Sequence, residues 1–168
     1  SYWAGMPAAS VVSTPLMASS GMIHMALGSF DPLLGDGPEV PLSLKRANDA
    51  AHTGMVVVQL HHPDGTALDQ VVSKHGLTVL DVLHDEAWLV RLPPQGTTSL
   101  VDLQAEEAVR WAGQQHPGWR LAPALLSQPA AHQALAVVPT PDLSVGGYAD
   151  LATDIVRYGA GEASCDAW

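Results

Sequence analysis

Three features predict a small α+β fold. The run Met55-Val56-Val57-Val58-Gln59-Leu60 is β-branched and almost wholly apolar on consecutive positions, the pattern of a strand buried on both faces. Behind it, Leu68, Val71, Val72 and His75 recur at helical spacing and stop at Gly76. The stretches Leu77 to Leu83 and Ala87 to Leu92 then flank the polar trio His84-Asp85-Glu86, which predicts two strands joined by a hairpin turn.

The remaining elements follow in order. His61-His62-Pro63-Asp64-Gly65-Thr66 is a turn into the helix Ala67 to Gly76. After Pro93-Pro94-Gln95-Gly96, residues Thr98 to Gly113 are predicted as a helix, with Thr98 or Ser99 as cap and Leu100, Leu103, Ala108 and Trp111 turned inward. His116-Pro117-Gly118-Trp119 ends that helix, and an extended Leu121 to Leu126 is expected to close the unit. The order β-α-β-β-α-β is the ferredoxin-like plan, expected here over residues 52–126.

A second, similar unit is expected over residues 133–168. Gln133 to Val138 is read as its strand, Pro139 to Gly146 as a turn and Tyr148 to Tyr158 as a helix stopped by Gly159; Met55 to Trp88 and Leu135 to Trp168 share this pattern and a closing Ala-Trp. The copy breaks off where its hairpin should turn back. A β-α-β fragment exposes a sheet edge and a helix face, so it needs a partner segment, either a continuation past Trp168 or a cleaved remainder that stays bound.

Residues 1–51 show no sustained period, and Pro32, Gly35, Gly37, Pro38 and Pro41 punctuate them. They are expected to form an extended leader arm lying on something else. Ser1 in the place of an initiator Met leads to the expectation that something preceded it, either a removed targeting peptide or an artificial boundary, between which the sequence does not choose.

Composition narrows the function classes. At 168 residues the chain can bury roughly two-thirds of its unfolded surface. Apolar residues at 47% exclude a disordered tail, while 15 Gly and 13 Pro predict many turns. A net charge of −10 disfavours nucleic acid and anionic lipid, because phosphate binding draws on clustered Lys and Arg. No window of eighteen residues is purely apolar, so no membrane span is expected. The single Cys165 leaves no internal disulfide framework and no cysteine-based zinc site.

Candidate chemistry is sparse. His61 and His62 are adjacent at a strand end and poorly placed to share a metal; His75 suits the C-terminal end of its helix; His84 with Asp85 and Glu86 reads as a turn before it reads as a relay. Asp31, Asp36 and Glu39 lie close enough to supply calcium ligands, or are solvated turn acids. Cys165 is either a reactive thiol or a small buried apolar residue. No nucleophile elbow, zinc-protease helix motif or phosphate loop is present, so no catalytic, metal or cofactor site is expected. Among the tryptophans, Trp88 and Trp111 occupy expected core positions, whereas Trp119 beside Arg120 is expected at the surface as an anchor for a partner, as is Trp168.

The passage Val109-Arg110-Trp111-Ala112-Gly113-Gln114-Gln115-His116-Pro117-Gly118-Trp119-Arg120-Leu121-Ala122-Pro123-Ala124-Leu125 resembles a segment of the amino-terminal regions of secreted subtilisin-like (S8) serine peptidases. Phe30-Asp31-Pro32-Leu33, the strand Val56 to Leu60, the helix end His75-Gly76 and Ala87-Trp88-Leu89-Val90-Arg91-Leu92 are similar as well, so the resemblance covers about residues 28–126. It implies a secreted, I9-like propeptide that chaperones and inhibits a peptidase domain without being catalytic itself, its sheet packed on two helices of that domain. The implied partner is a peptidase catalytic domain or the continuation of the same polypeptide. The alternative expectation is a structural subunit of a filament or cell envelope that self-associates by strand exchange.

Overall fold

The computed structural model describes residues 21–45, 54–62, 65–83, 86–94, 96–127 and 137–157. A mixed α+β architecture results, with two antiparallel sheets and several helices. The leader holds a hairpin of β1 (Ile23–Met25) and β2 (Gly28–Phe30). Strand β3 (Met55–Leu60), helix α1 (Gly65–His75), strands β4 (Thr78–Leu83) and β5 (Ala87–Arg91), helix α2 (Leu100–Gln104) and strand β6 (Val109–Gln114) follow. Helix α3 (Pro123–Ser127) and helix α4 (Val145–Arg157) complete the described chain.

The larger sheet runs β4-β5-β3-β6, and every neighbouring pair is antiparallel. Strand β3 takes a central place because five of its six residues are buried, which only a strand covered on both faces and paired on both edges permits. Alternation divides its side chains. Val56, Val58 and Leu60 enter a core with Val71 of α1, Leu100 and Leu103 of α2, and Val90, Val109 and Ala112 of the neighbouring strands. Val57 points the other way, into a second cluster with Leu80, Ala87 and Leu89.

That second face is covered by the chain's own leader. Ile23 is fully buried in the cluster, and Met25 and Phe30 pack at its margin with Met55, Leu83 and Trp111. The expected extended arm is thus folded, over residues 23–30, into a strap across the sheet. Two register irregularities feed this face: pairing skips Leu80 between Val79 and Asp81, and skips Arg110 where β6 meets Gln59 and Leu60. A bulge adds one residue and re-aims it, so Leu80 joins the strap-side cluster and Arg110 reaches Gln59 on the same side.

Three expectations need correction. The helix expected over Thr98 to Gly113 ends at Gln104: Ser99 and Asp102 form a capping box that starts it, and the chain turns back after Ala105. Val109–Gln114 is instead the closing strand, because β3 has a second edge to satisfy and pairing along it outweighs a local helical period. Leu121 to Leu126, expected to close the sheet, is a bend followed by α3. In the second unit, α4 begins at Val145 rather than Tyr148, Val137 and Val138 are not in a strand, and Gln133 to Ala136 and residues 158–168 lie outside the described residues.

Candidate protein-docking face

The strap is held by polar groups as well as by Ile23. Gln59, the polar residue within the apolar run of β3, is completely buried and needs partners. Its Nε2 donates to the Gly21 carbonyl at 3.2 Å, and its Oε1 accepts from Arg110 Nη1 at 2.6 Å. The same Arg110 nitrogen donates to the Gly21 carbonyl at 3.0 Å, while Nη2 reaches Asp31 Oδ1 at 2.9 Å and Oδ2 at 3.1 Å. Both charged side chains are largely covered, at 17% and 18% exposure, and the pair therefore fixes the strap's register rather than decorating the surface. Gly21 has φ +70°, and a β-carbon there would stand 2.8 Å from Arg110 Nη2, so a side chain would displace the guanidinium.

The Asp31 carboxyl is held below its ordinary value, first by the Leu33 backbone N–H at 3.0 Å and then by Arg110. The carboxylate is thus committed to a cation and a turn. Of the two readings of these acids, the geometry favours turn acids for Asp36 and Glu39, which are exposed, while Asp31 faces Arg110; no group of three His, Cys, Asp or Glu assembles among the described residues.

Aromatic rings continue the fastening. Phe30 meets Trp111 edge-on at 6.2 Å between centroids and Trp119 at 5.6 Å. Trp119, expected at the surface, is only 5% exposed. Its indole Nε1 donates to the Pro38 carbonyl at 3.0 Å, and His116 stacks edge-on at 4.6 Å. A β-carbon at Gly37, where φ is +84°, would lie 2.8 Å from the Trp119 ring, which explains why the leader can close over the indole. The tryptophan anchors its own chain because the leader, read as an arm without local structure, supplies its pocket. Trp111 lies in a strand, half-buried against the strap-side cluster, and Trp88 is half-buried against the helix-side core.

Beside the strap remains a half-open cleft of about 410 Å³. Leu80, Leu83, Leu89 and Met25 line it, together with Gln115, Arg120 and the segment Val138 to Pro141. Gln115 Oε1 is buried there without a hydrogen-bond partner. Arg91 ties the outer segment down, donating to both carboxylate oxygens of Asp142 at 2.5 and 3.1 Å and to Thr140 Oγ1 at 3.2 Å.

The other sequence candidates do not converge. His61 and His62 are exposed beyond β3. His75 ends α1 as expected, but it is buried, with Nε2 3.1 Å from Glu106 Oε2, an oxygen that also accepts from Lys74. Glu86 occupies a left-handed turn position at φ 65°, while His84, Asp85, Cys165 and Trp168 lie outside the described residues. Arg120 is exposed at the cleft. No helix among the described residues is long and apolar enough to cross a membrane. Comparison with protein-family models, curated proteins and solved structures found no match.

Proposed function

We propose that this chain is a non-catalytic, propeptide-type module of a secreted subtilisin-like peptidase precursor, acting as chaperone and inhibitor of the catalytic domain through a ferredoxin-like unit. The observation that carries this reading is the meeting of the two sequence pieces on which the resemblance rests. Asp31 and Phe30 of the leader piece touch Arg110, Trp111 and Trp119 of the later piece, so the residues that carry the resemblance form one structural joint. The β-α-β-β-α-β order with sheet order β4-β5-β3-β6 supports the ferredoxin-like assignment. A parallel-sheet peptidase domain folds slowly for reasons of topology, and a preformed sheet module can lower that barrier.

The strap distinguishes this chain from a bare propeptide unit, because an apolar face suited to docking is already occupied along Ile23 to Phe30. The test is addition of the full chain to a denatured subtilisin-like peptidase and, separately, to the active enzyme. Faster recovery of activity in the first case and slow, saturable inhibition in the second are expected. Digestion of the chain as an ordinary substrate, with neither effect, would contradict the reading.

A further inference from the structure

We infer that the outer edge of β4 pairs with the β4 edge of a second copy of this chain, antiparallel about a two-fold axis, so that two four-stranded sheets join into one. The inference is independent of the peptidase reading and uses an edge that is already open.

The neighbouring strand decides which backbone groups of β4 face outward. Leu60 donates its N–H to the Glu86 carbonyl and Leu92 donates to the Gly54 carbonyl, so the even-numbered positions along β5 direct their polar groups at β3. Ala87, Leu89 and Arg91 therefore serve β4. The β4 residues opposite Val90 and Trp88 are Val79 and Val82, and these turn N–H and C=O away from the sheet. In keeping with that direction, the Val82 N–H donates to its neighbour's carboxylate, Asp81 Oδ1, at 2.8 Å.

On a regular edge such outward groups recur at every second residue. The bulge at Leu80 spaces them three apart in β4, from Val79 to Val82. An ordinary incoming strand meets one of these positions and misses the other. A second β4 carries the same interval: antiparallel pairing sets Val79 of each copy opposite Val82 of the other, with Leu80 opposite Asp81 between them. Each valine pair then exchanges two main-chain hydrogen bonds. The same register sorts the side chains. Val79 and Val82 are 38% and 67% exposed and share the helix-side face with Val90 and Trp88, so the valines of the two copies meet in one apolar cluster.

Exposed edges are commonly guarded by Lys or Pro, and β4 contains neither. Asp81 is its guard. The carboxylate occupies the Val82 donor that pairing needs, and in the joined sheet the Asp81 groups of both copies flank the axis, where like charges repel. The opposite edge of the sheet is protected by its own chain, since the Ala112 carbonyl of β6 accepts from Gln104 Nε2 at 2.9 Å.

The experiment is sedimentation equilibrium of the full chain up to about 1 mM, in about 0.3 M salt to screen repulsion between chains of net charge −10. A monomer–dimer equilibrium is expected with a dissociation constant between about 10 μM and 1 mM, as suits a small edge interface. Asp81→Ala, which frees the Val82 N–H and removes the like charges, should tighten it at least about tenfold. Val82→Pro deletes an outward donor that β5 does not use and should leave the chain monomeric. Should that variant fail to fold, Val82→Lys, which keeps the backbone donor and guards the edge with charge, gives the same reading. Isotope-filtered cross-peaks between the Val79 methyls of one copy and the Val82 methyls of the other would fix the register. No dimer in either the wild type or Asp81→Ala, no tightening by Asp81→Ala, dimers that persist in Val82→Pro or Val82→Lys, or growth beyond a dimer overturns the proposal.

Discussion

Arg110 and Asp31 stand 79 positions apart in sequence, yet one guanidinium nitrogen reaches both carboxylate oxygens, at 2.9 and 3.1 Å. The contact joins the leader to the last strand of the sheet. Because the same arginine bonds Gln59 and the Gly21 carbonyl, the start of the strap, its end and the middle of the sheet are tied at one point.

The clamp titrates in a defined direction. A carboxylate held below its ordinary value stabilises the fold above the unfolded pKa, and that contribution is lost as pH falls through the lower folded value. For Asp31 the loss begins below the unperturbed 3.8 and leaves neutral pH unaffected. A carbon-detected titration should place the Asp31 midpoint below that value, and Arg110→Gln should move it upward. A midpoint unchanged by the substitution would show that Arg110 is not its partner.

Ile23 should behave as a core residue although it lies in the leader. It is fully buried, whereas Leu34 in the same leader is 87% exposed. Ile23→Ala is expected to cost about 2–5 kcal/mol and Leu34→Ala less than about 0.5 kcal/mol. Denaturant unfolding of the two variants checks this; equal, negligible losses would detach the strap from the cooperative unit.

Gln59→Leu raises hydrophobicity at a completely buried position, yet it should destabilise the chain by about 1–3 kcal/mol. The Gly21 carbonyl loses one of its two donors, and Arg110 loses an acceptor. Thermal unfolding would reveal the opposite sign if the network contributed nothing beyond packing.

Helix α4 should loosen independently of the sheet. None of its residues is buried, and Arg91 bonds the segment leading into it at Thr140 and Asp142. Arg91→Ala should speed amide exchange over Val145–Arg157 and lower overall stability by no more than about 1 kcal/mol, the scale of a partly exposed ion pair. Slowed or unchanged exchange in α4 would indicate a different anchor.

The sheet was legible where period and burial agree. Met55–Leu60 reads as a central strand, α1 stops at Gly76 as its glycine demands, and the hairpin from β4 to β5 follows from alternation. Val109–Gln114 was not legible, since its apolar positions also suit a helix and only the unpaired edge of β3 decides between them. The strap was hidden for a related reason: three-residue strands carry no period, and their pairing becomes favourable only against the finished sheet. One signal did mark the clamp, a Gln in an otherwise apolar run, because a buried amide requires partners from elsewhere in the chain. Nothing local identifies those partners as Arg110 and Gly21.

Nuclear Overhauser contacts from the Ile23 methyls test the strap most directly. Cross-peaks to the Val57, Leu80 and Leu89 methyls, with slow exchange of the Ile23 amide, are the expected result. Free-chain exchange at Ile23 and no cross-peak to any of the three would leave the sheet face bare and remove the basis for the clamp.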